Sequence, residues 1–152
     1  MRKQCRRKIY QLVDPIAHAI AGACITTKDQ LDELNKNELA AIEAMRLGKG
    51  TTSTWQELVN MNNICQIVAR NLIGPEALVD CMMAELELKA ATKRYEETGK
   101  MLLTGVGLKS IMQVQEWHNK QRMSISRSEY ERMIQKTHNK IRSRSKDVTV
   151  IE

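Results

Sequence analysis

"STWQELVNMNNICQIVARNLIG", residues 53–74, is the stretch that decides the fold class. Its apolar side chains recur at intervals of three and four, which places them on one side of a helix: Leu58, Met61, Cys65, Val68, Ala69 and Leu72. Ser53 and Gln56 have the spacing of a helix capping box, and "GP" at 74–75 ends the pattern. The stretch therefore predicts an amphipathic helix with one buried face.

The rest of the chain repeats this pattern and is poor in the aromatic residues that sheets favour. Its 152 residues include no Phe, two Trp, three Tyr and nine Met. Aromatic and β-branched residues favour strands, whereas Ala, Leu and Met favour helices. Short connectors such as "GKGTTST" (48–54) place consecutive helices antiparallel. We predict an all-α fold, a single-domain bundle of five to six helices joined by short connectors, with a C-terminal helical hairpin. Residues 1–146 form this domain, and residues 147–152 form a short, disordered C-terminal tail.

Two further helices carry apolar residues whose assignment matters for function. In the first predicted helix, six apolar residues share one face: Ile9, Val13, Ile16, Ala17, Ile20 and Cys24. The helix after "GP" is predicted to present one apolar stripe toward the core: Val79, Met82, Met83, Leu86 and Ala90. Met82 and Met83 have two interpretations, an adaptable partner-binding surface or filling for a core that lacks Phe. The sequence favours the core.

The helix predicted after "LLTGVG" (102–107) has an apolar arc broader than one buried face needs. The arc contains Leu108, Ile111, Met112, Val114 and Trp117. We predict that Val114 and Trp117 form an apolar face left over after the chain has packed. That face is the predicted contact with a protein partner or with a second copy in a homodimer.

Charge is concentrated at the two ends of the chain. Residues 1–13 carry five basic side chains and no acidic one, residues 14–99 carry 13 acidic and 8 basic, and residues 100–152 carry 11 basic and 5 acidic. Within "SISRSEYERMIQKTHNKIRSRSK" (124–146), six basic residues are the candidates for contact with a polyanion or an acidic partner: Arg132, Lys136, Lys140, Arg142, Arg144 and Lys146. No aromatic residues for base stacking alternate with them, which weakens the nucleic-acid interpretation. The competing interpretation, which the sequence favours slightly, is a solvated helix face.

No motif in the sequence predicts catalysis, a cofactor or a metal. The loop "LGKGTTST" (47–54) lacks the first glycine of a phosphate-binding loop, because Glu43 occupies that position. His118 and His138 fall on consecutive predicted helices, but a metal site there needs further ligands that the sequence does not place nearby. We therefore predict no enzyme, no cofactor and no metal site.

Cysteine usage and hydropathy bear on the compartment. The four cysteines show no C-x-x-C spacing, which is typical of a reduced protein. Gln11 and Asp14 interrupt the apolar stretch that would otherwise resemble an export signal, and no apolar run approaches the roughly 18 residues of a membrane span. The sequence predicts a cytoplasmic protein without membrane contact.

Three functional hypotheses follow from these observations. The first is a small non-enzymatic helical binding protein, a regulatory or accessory factor that acts through protein–protein contacts or as a homo-oligomer. The alternative is a nucleic-acid-binding protein that uses its basic N- and C-terminal segments on the phosphate backbone. An enzyme whose catalytic residues are brought together only by the fold is the third.

Overall fold

The computed structural model describes residues 28–143, and five helices account for most of that range. They are α1 (Lys28–Arg46), α2 (Thr52–Arg70), α3 (Ala77–Thr98), α4 (Gly105–Ser124) and α5 (Arg127–Arg142). Helix α2 contacts the other four helices, and α5 follows α4 after a two-residue connection and packs against α2. The predicted all-α bundle with short connectors is confirmed.

Helix α2 is the central helix because its apolar stripe is wide enough to meet several neighbours. Leu58, Met61, Cys65, Val68 and Ala69 are buried, as predicted. The predicted stripe is wrong at Leu72, which lies beyond the end of the helix and is 82% exposed.

The predicted capping box of α2 is also displaced. The structure places it at Thr51 and Thr54, where each hydroxyl accepts a hydrogen bond from the backbone N–H of the other residue, at 3.2 and 2.7 Å. Gln56 instead donates to Asn60 on the surface. The helix begins at Thr52, so Ser53 is already inside it and cannot be the N-cap. The Thr54 hydroxyl, at the third helical position, takes the place that Glu or Gln usually has in a capping box.

The connectors before α2 and before α4 pair with each other. The N–H of Gly50 donates to the carbonyl of Met101 at 3.2 Å, and the N–H of Leu103 donates to the carbonyl of Met45 at 3.3 Å. A Cβ at Gly50 would overlap the Met45 sulfur and the Met101 carbonyl oxygen. Glycine at this position therefore lets the two connectors close one end of the bundle.

Several predictions fall outside the described residues. They are the first predicted helix with Ile9 to Cys24, the basic residues Arg144 and Lys146, and the tail at 147–152. Within residues 28–143, every helix is too short in its apolar stretch to cross a lipid bilayer.

Candidate partner-binding surface

Helix α3 turns its small residues toward the bundle. Its buried positions are Ala77, Cys81, Ala84, Leu88 and Ala91. Two side chains of α2 reach the α3 backbone: the indole N–H of Trp55 donates to the carbonyl of Leu88 at 3.0 Å, and the amide of Asn62 donates to the carbonyl of Cys81 at 3.2 Å. Such bonds require the two helices to lie close together, and only small side chains allow that approach.

The larger apolar residues of α3 consequently point away from the bundle. Val79 is 68% exposed, Met82 59%, Met83 45% and Leu86 62%. The prediction that these residues are buried is wrong, and so is the preference for Met82 and Met83 as core filling. We call these four residues the α3 outer face. They lie at positions i, i+3, i+4 and i+7, so they form one continuous stripe.

Charged residues frame the α3 outer face. Asp80, Glu85 and Glu87 lie within the first half of α3, which contains no basic residue. Glu85 pairs with Lys89 at 2.7 Å. Glu76 at the N-cap and Lys93 near the far end are both exposed.

The predicted apolar contact at Val114 and Trp117 needs correction. Val114 is fully buried in the core, and Trp117 is half-buried against it. The indole N–H of Trp117 donates to a carboxylate oxygen of Asp80 at 2.7 Å. Most of the apolar arc of α4, Met112 excepted, is thus used for packing between helices, and the longer exposed apolar stripe lies on α3.

The basic residues on α5 are accessible, but they do not form a built anion site among the described residues. Arg132 and Arg142 are exposed. The Lys136 ammonium donates to the side-chain carbonyl of Asn71 at 2.8 Å. Lys136 and Lys140 line a cleft beside Leu78 at the junction of α2 and α3. Arg132, Lys136 and Lys140, spaced four residues apart, thus share one side of α5, whereas Arg142 lies on another side.

A second exposed apolar region lies between α1 and α4. Leu39 and Met112 are both more than half exposed there. Arg46 and Glu43 pair with each other at the rim. Charged side chains of both signs lie among the apolar residues that line this region.

Sequence reasoning missed a buried polar network where α1, α4 and α5 meet. The Arg122 guanidinium donates to both carboxylate oxygens of Glu38, at 2.5 and 3.3 Å, and to the side-chain oxygen of Asn35. Its Nε donates to the hydroxyl of Tyr130 at 3.1 Å. The side chains of Arg122 and Glu38 are only 5% and 7% exposed. Burial raises the pKa of Glu38, and the charge of Arg122 opposes that rise.

The network continues through a neutral histidine. Gln121 donates its amide N–H groups to the carbonyls of Cys65 and Ile73, so its side-chain oxygen is left to accept from His118 Nδ1 at 3.4 Å. His118 Nε2 then accepts from the Tyr130 hydroxyl at 3.0 Å. Burial, with the nearby Arg122 charge, lowers the pKa of His118 to about 3. This arrangement supports an uncharged imidazole that fixes the packing of α5 on α4.

The histidines considered as metal ligands and the cysteine considered as a nucleophile do not form a reactive site in the described residues. His118 is fully buried and His138 is exposed, so they do not share a site. The hydrogen bond that the Cys65 thiol makes with Cys81, together with burial, raises the pKa of Cys65, which disfavours the nucleophilic thiolate. Within residues 28–143, no cluster of three His, Cys, Asp or Glu side chains is arranged to hold a metal ion.

Comparison with family models, curated proteins and solved structures found no match for the chain.

Proposed function

We propose that the protein is a non-enzymatic binding protein that acts through protein–protein contacts made by the α3 outer face. The observation that carries the proposal is the orientation of α3, which buries three alanines, a cysteine and one leucine (Leu88) while exposing four larger apolar side chains: Val79, Met82, Met83 and Leu86. Transfer free energy alone would favour the opposite orientation, because the exposed side chains are the larger apolar ones.

The cost of this exposure can be put in energetic terms. Fully burying a Val, Leu or Met side chain stabilises by roughly 1.5–3 kcal/mol, so covering four side chains that are about half exposed would recover on the order of 3–6 kcal/mol. Contiguous apolar patches of this kind on a monomer commonly mark interaction sites. Methionine side chains adapt their shape to a partner, which suits Met82 and Met83 to a contact surface.

A regulatory or accessory role in the cytoplasm fits this proposal. Cys65 and Cys81 are both buried free thiols in the structure, the form that a reducing compartment maintains.

The test is affinity capture from a lysate of the source cell, with proteins and nucleic acids both identified. Wild type is compared with Leu86→Gln on the α3 outer face and with Val106→Gln on α4. Val106 is a matched control because it is also 62% exposed. We expect a protein that wild type and Val106→Gln retain and that Leu86→Gln loses, in nuclease-treated lysate.

Two results would contradict the proposal. One is the same set of proteins on wild type and Leu86→Gln. The other is capture of nucleic acid alone, released steeply by moderate salt, which would instead support phosphate contact through the basic segments.

A further inference from the structure

We infer that the α3 outer face binds the same face of a second copy of this chain, in an antiparallel pair of α3 helices related by a two-fold axis. Met83 of one copy then lies against Leu86 of the other. The inference rests on the proposed function, because it names the partner of that same surface.

The first argument is the spacing along α3. Six positions follow one another at intervals of three, four, three, four and three: Glu76, Val79, Met83, Leu86, Ala90 and Lys93. This alternation is the spacing at which two helices pack knobs into holes, and we call these six positions the seam. Glu76 continues the seam because its backbone is helical, with φ −61° and ψ −23°. Five of the six seam positions are exposed and Ala90 is half-buried, and no other described helix covers the seam.

The second argument is the order of charges on the seam. Its centre is apolar, its first position is acidic and its last is basic. In an antiparallel pair with Met83 opposite Leu86, Val79 lies opposite Ala90, and Glu76 lies opposite Lys93 at both ends. In a parallel pair, Glu76 would face Glu76 and Lys93 would face Lys93, so like charges would repel. Within residues 28–143, neither Glu76 nor Lys93 has an ion-pair partner of its own.

The third argument is the extent of the surface. The four apolar side chains are 45–68% exposed. At roughly 100 Å² each they supply about 800 Å² over the two copies, and the charged rim brings the pair to the ~1,000 Å² total that a specific interface needs. Asp80 and Glu87 flank the seam on one side and bring like charges near each other across the pair. We therefore expect a dissociation constant in the micromolar range.

The experiment is analytical ultracentrifugation of the full chain over a micromolar concentration series. We expect a reversible monomer–dimer equilibrium for wild type and for Val106→Gln. Leu86→Gln should raise the dissociation constant at least about thirtyfold, because two leucines leave the centre of the interface. Circular dichroism checks that each variant keeps its helical content.

A charge exchange tests the antiparallel order. Glu76→Lys alone and Lys93→Glu alone should each weaken the dimer by roughly three- to tenfold, and the double variant should restore wild-type affinity. A parallel dimer would gain nothing from the double exchange. No change with either single variant, or no recovery in the double variant, would overturn the antiparallel pairing.

The failure of this inference is distinct from the failure of the proposed function. A wild-type chain that stays monomeric throughout the series overturns self-association. If the capture experiment then still finds a different protein that depends on Leu86, the proposed function stands with another partner. If it finds none, both fail.

Discussion

Replacing Arg122 with Met should cost more stability at neutral pH than at mildly acidic pH. The substitution leaves the Glu38 carboxylate buried without its cation, and it removes the donor that Asn35 and Tyr130 use. Breaking a buried ion pair from one side typically costs about 3–5 kcal/mol.

The size of the effect can be worked out from Glu38. In the variant, Glu38 can become neutral by taking up a proton. Its share of the loss in the free energy of unfolding at pH 7 therefore cannot exceed about 3.4 kcal/mol, the cost of protonating a group whose ordinary pKa is 4.5. The unsatisfied oxygen of Asn35 adds about 1–2 kcal/mol. We therefore expect a total loss of about 3–5 kcal/mol in the free energy of unfolding at pH 7.

The sign of the pH dependence follows from the direction of the pKa shift. Burial raises the folded-state pKa of Glu38, and removing Arg122 raises it further. The free energy of unfolding of the variant is therefore highest below the pKa that Glu38 has in the unfolded chain. It falls as pH rises toward the higher pKa that Glu38 has in the folded chain. At pH 4.5 the Glu38 contribution falls to about 0.4 kcal/mol, so the variant should lose only about 1–2 kcal/mol.

The assay is urea unfolding followed by circular dichroism at both pH values, at one fixed protein concentration because self-association would add to stability. Glu38→Leu and the double variant Glu38→Leu/Arg122→Met complete a thermodynamic cycle. The double variant should be more stable than either single one, since neither buried charge is left alone. An equal loss at both pH values, or additive losses in the cycle, would refute the reasoning.

Four further predictions concern separate parts of the molecule. The pKa of His118 is lowered in the folded state, so the stability that its neutral imidazole contributes should be complete above pH 6.5 and should fall as pH decreases toward 3. In urea titrations, His118→Gln should remove about 1.4 kcal/mol of the decrease in the free energy of unfolding between pH 7.5 and pH 5.5. Ala84→Leu, on the buried side of α3, should lose about 1–3 kcal/mol by overpacking, and a neutral result in thermal unfolding would show that α3 is turned the other way. Gly50→Ala should cost about 1–3 kcal/mol in the same measurement, because the new Cβ would lie 2.6 Å from the Met101 carbonyl oxygen; retained stability would mean that the two connectors are not in contact. Replacing Arg132 and Arg142 together by Gln should leave the free energy of unfolding within about 0.5 kcal/mol, and a large loss would place these side chains in the folded core.

The stripe on α2 shows why the fold class could be predicted from the sequence. Leu58, Met61, Cys65 and Val68 recur on one face and are buried, so periodicity identifies the helix and that face. Asn63 and Ile67 on the opposite face are buried too, because α2 is surrounded by other helices, and the stripe did not predict that.

Helix α3 shows where the same reasoning fails. It has two apolar faces, one of small residues such as Ala84 and one of large residues such as Leu86, and hydrophobicity favours the large ones. What reverses the assignment is the bonding of Trp55 and Asn62 to the α3 backbone, which depends on the distance between helices. The periodicity of a single segment carries no information about how close two helices lie.

The buried network did leave a signal in the sequence. Asn35 and Glu38 continue the spacing of Leu31, Ile42 and Met45 on α1. On α4, His118, Gln121 and Arg122 likewise continue the stripe of Ile111 and Val114. Opposite charges inside the apolar stripes of two helices indicate a buried pair, but they do not reveal which helices meet.

Methionine oxidation mapped by mass spectrometry tests the central claim most directly, because the chain has reporters on each kind of surface. During a brief peroxide pulse on dilute protein, Met82 and Met83 should react readily, as should exposed Met112 and Met123, while buried Met45 stays protected. At concentrations where the protein associates with its partner, Met82 and Met83 alone should become protected. If Met82 and Met83 resist oxidation as strongly as Met45 in dilute protein, or react as fast as Met112 in the associated state, the α3 outer face is not the contact surface.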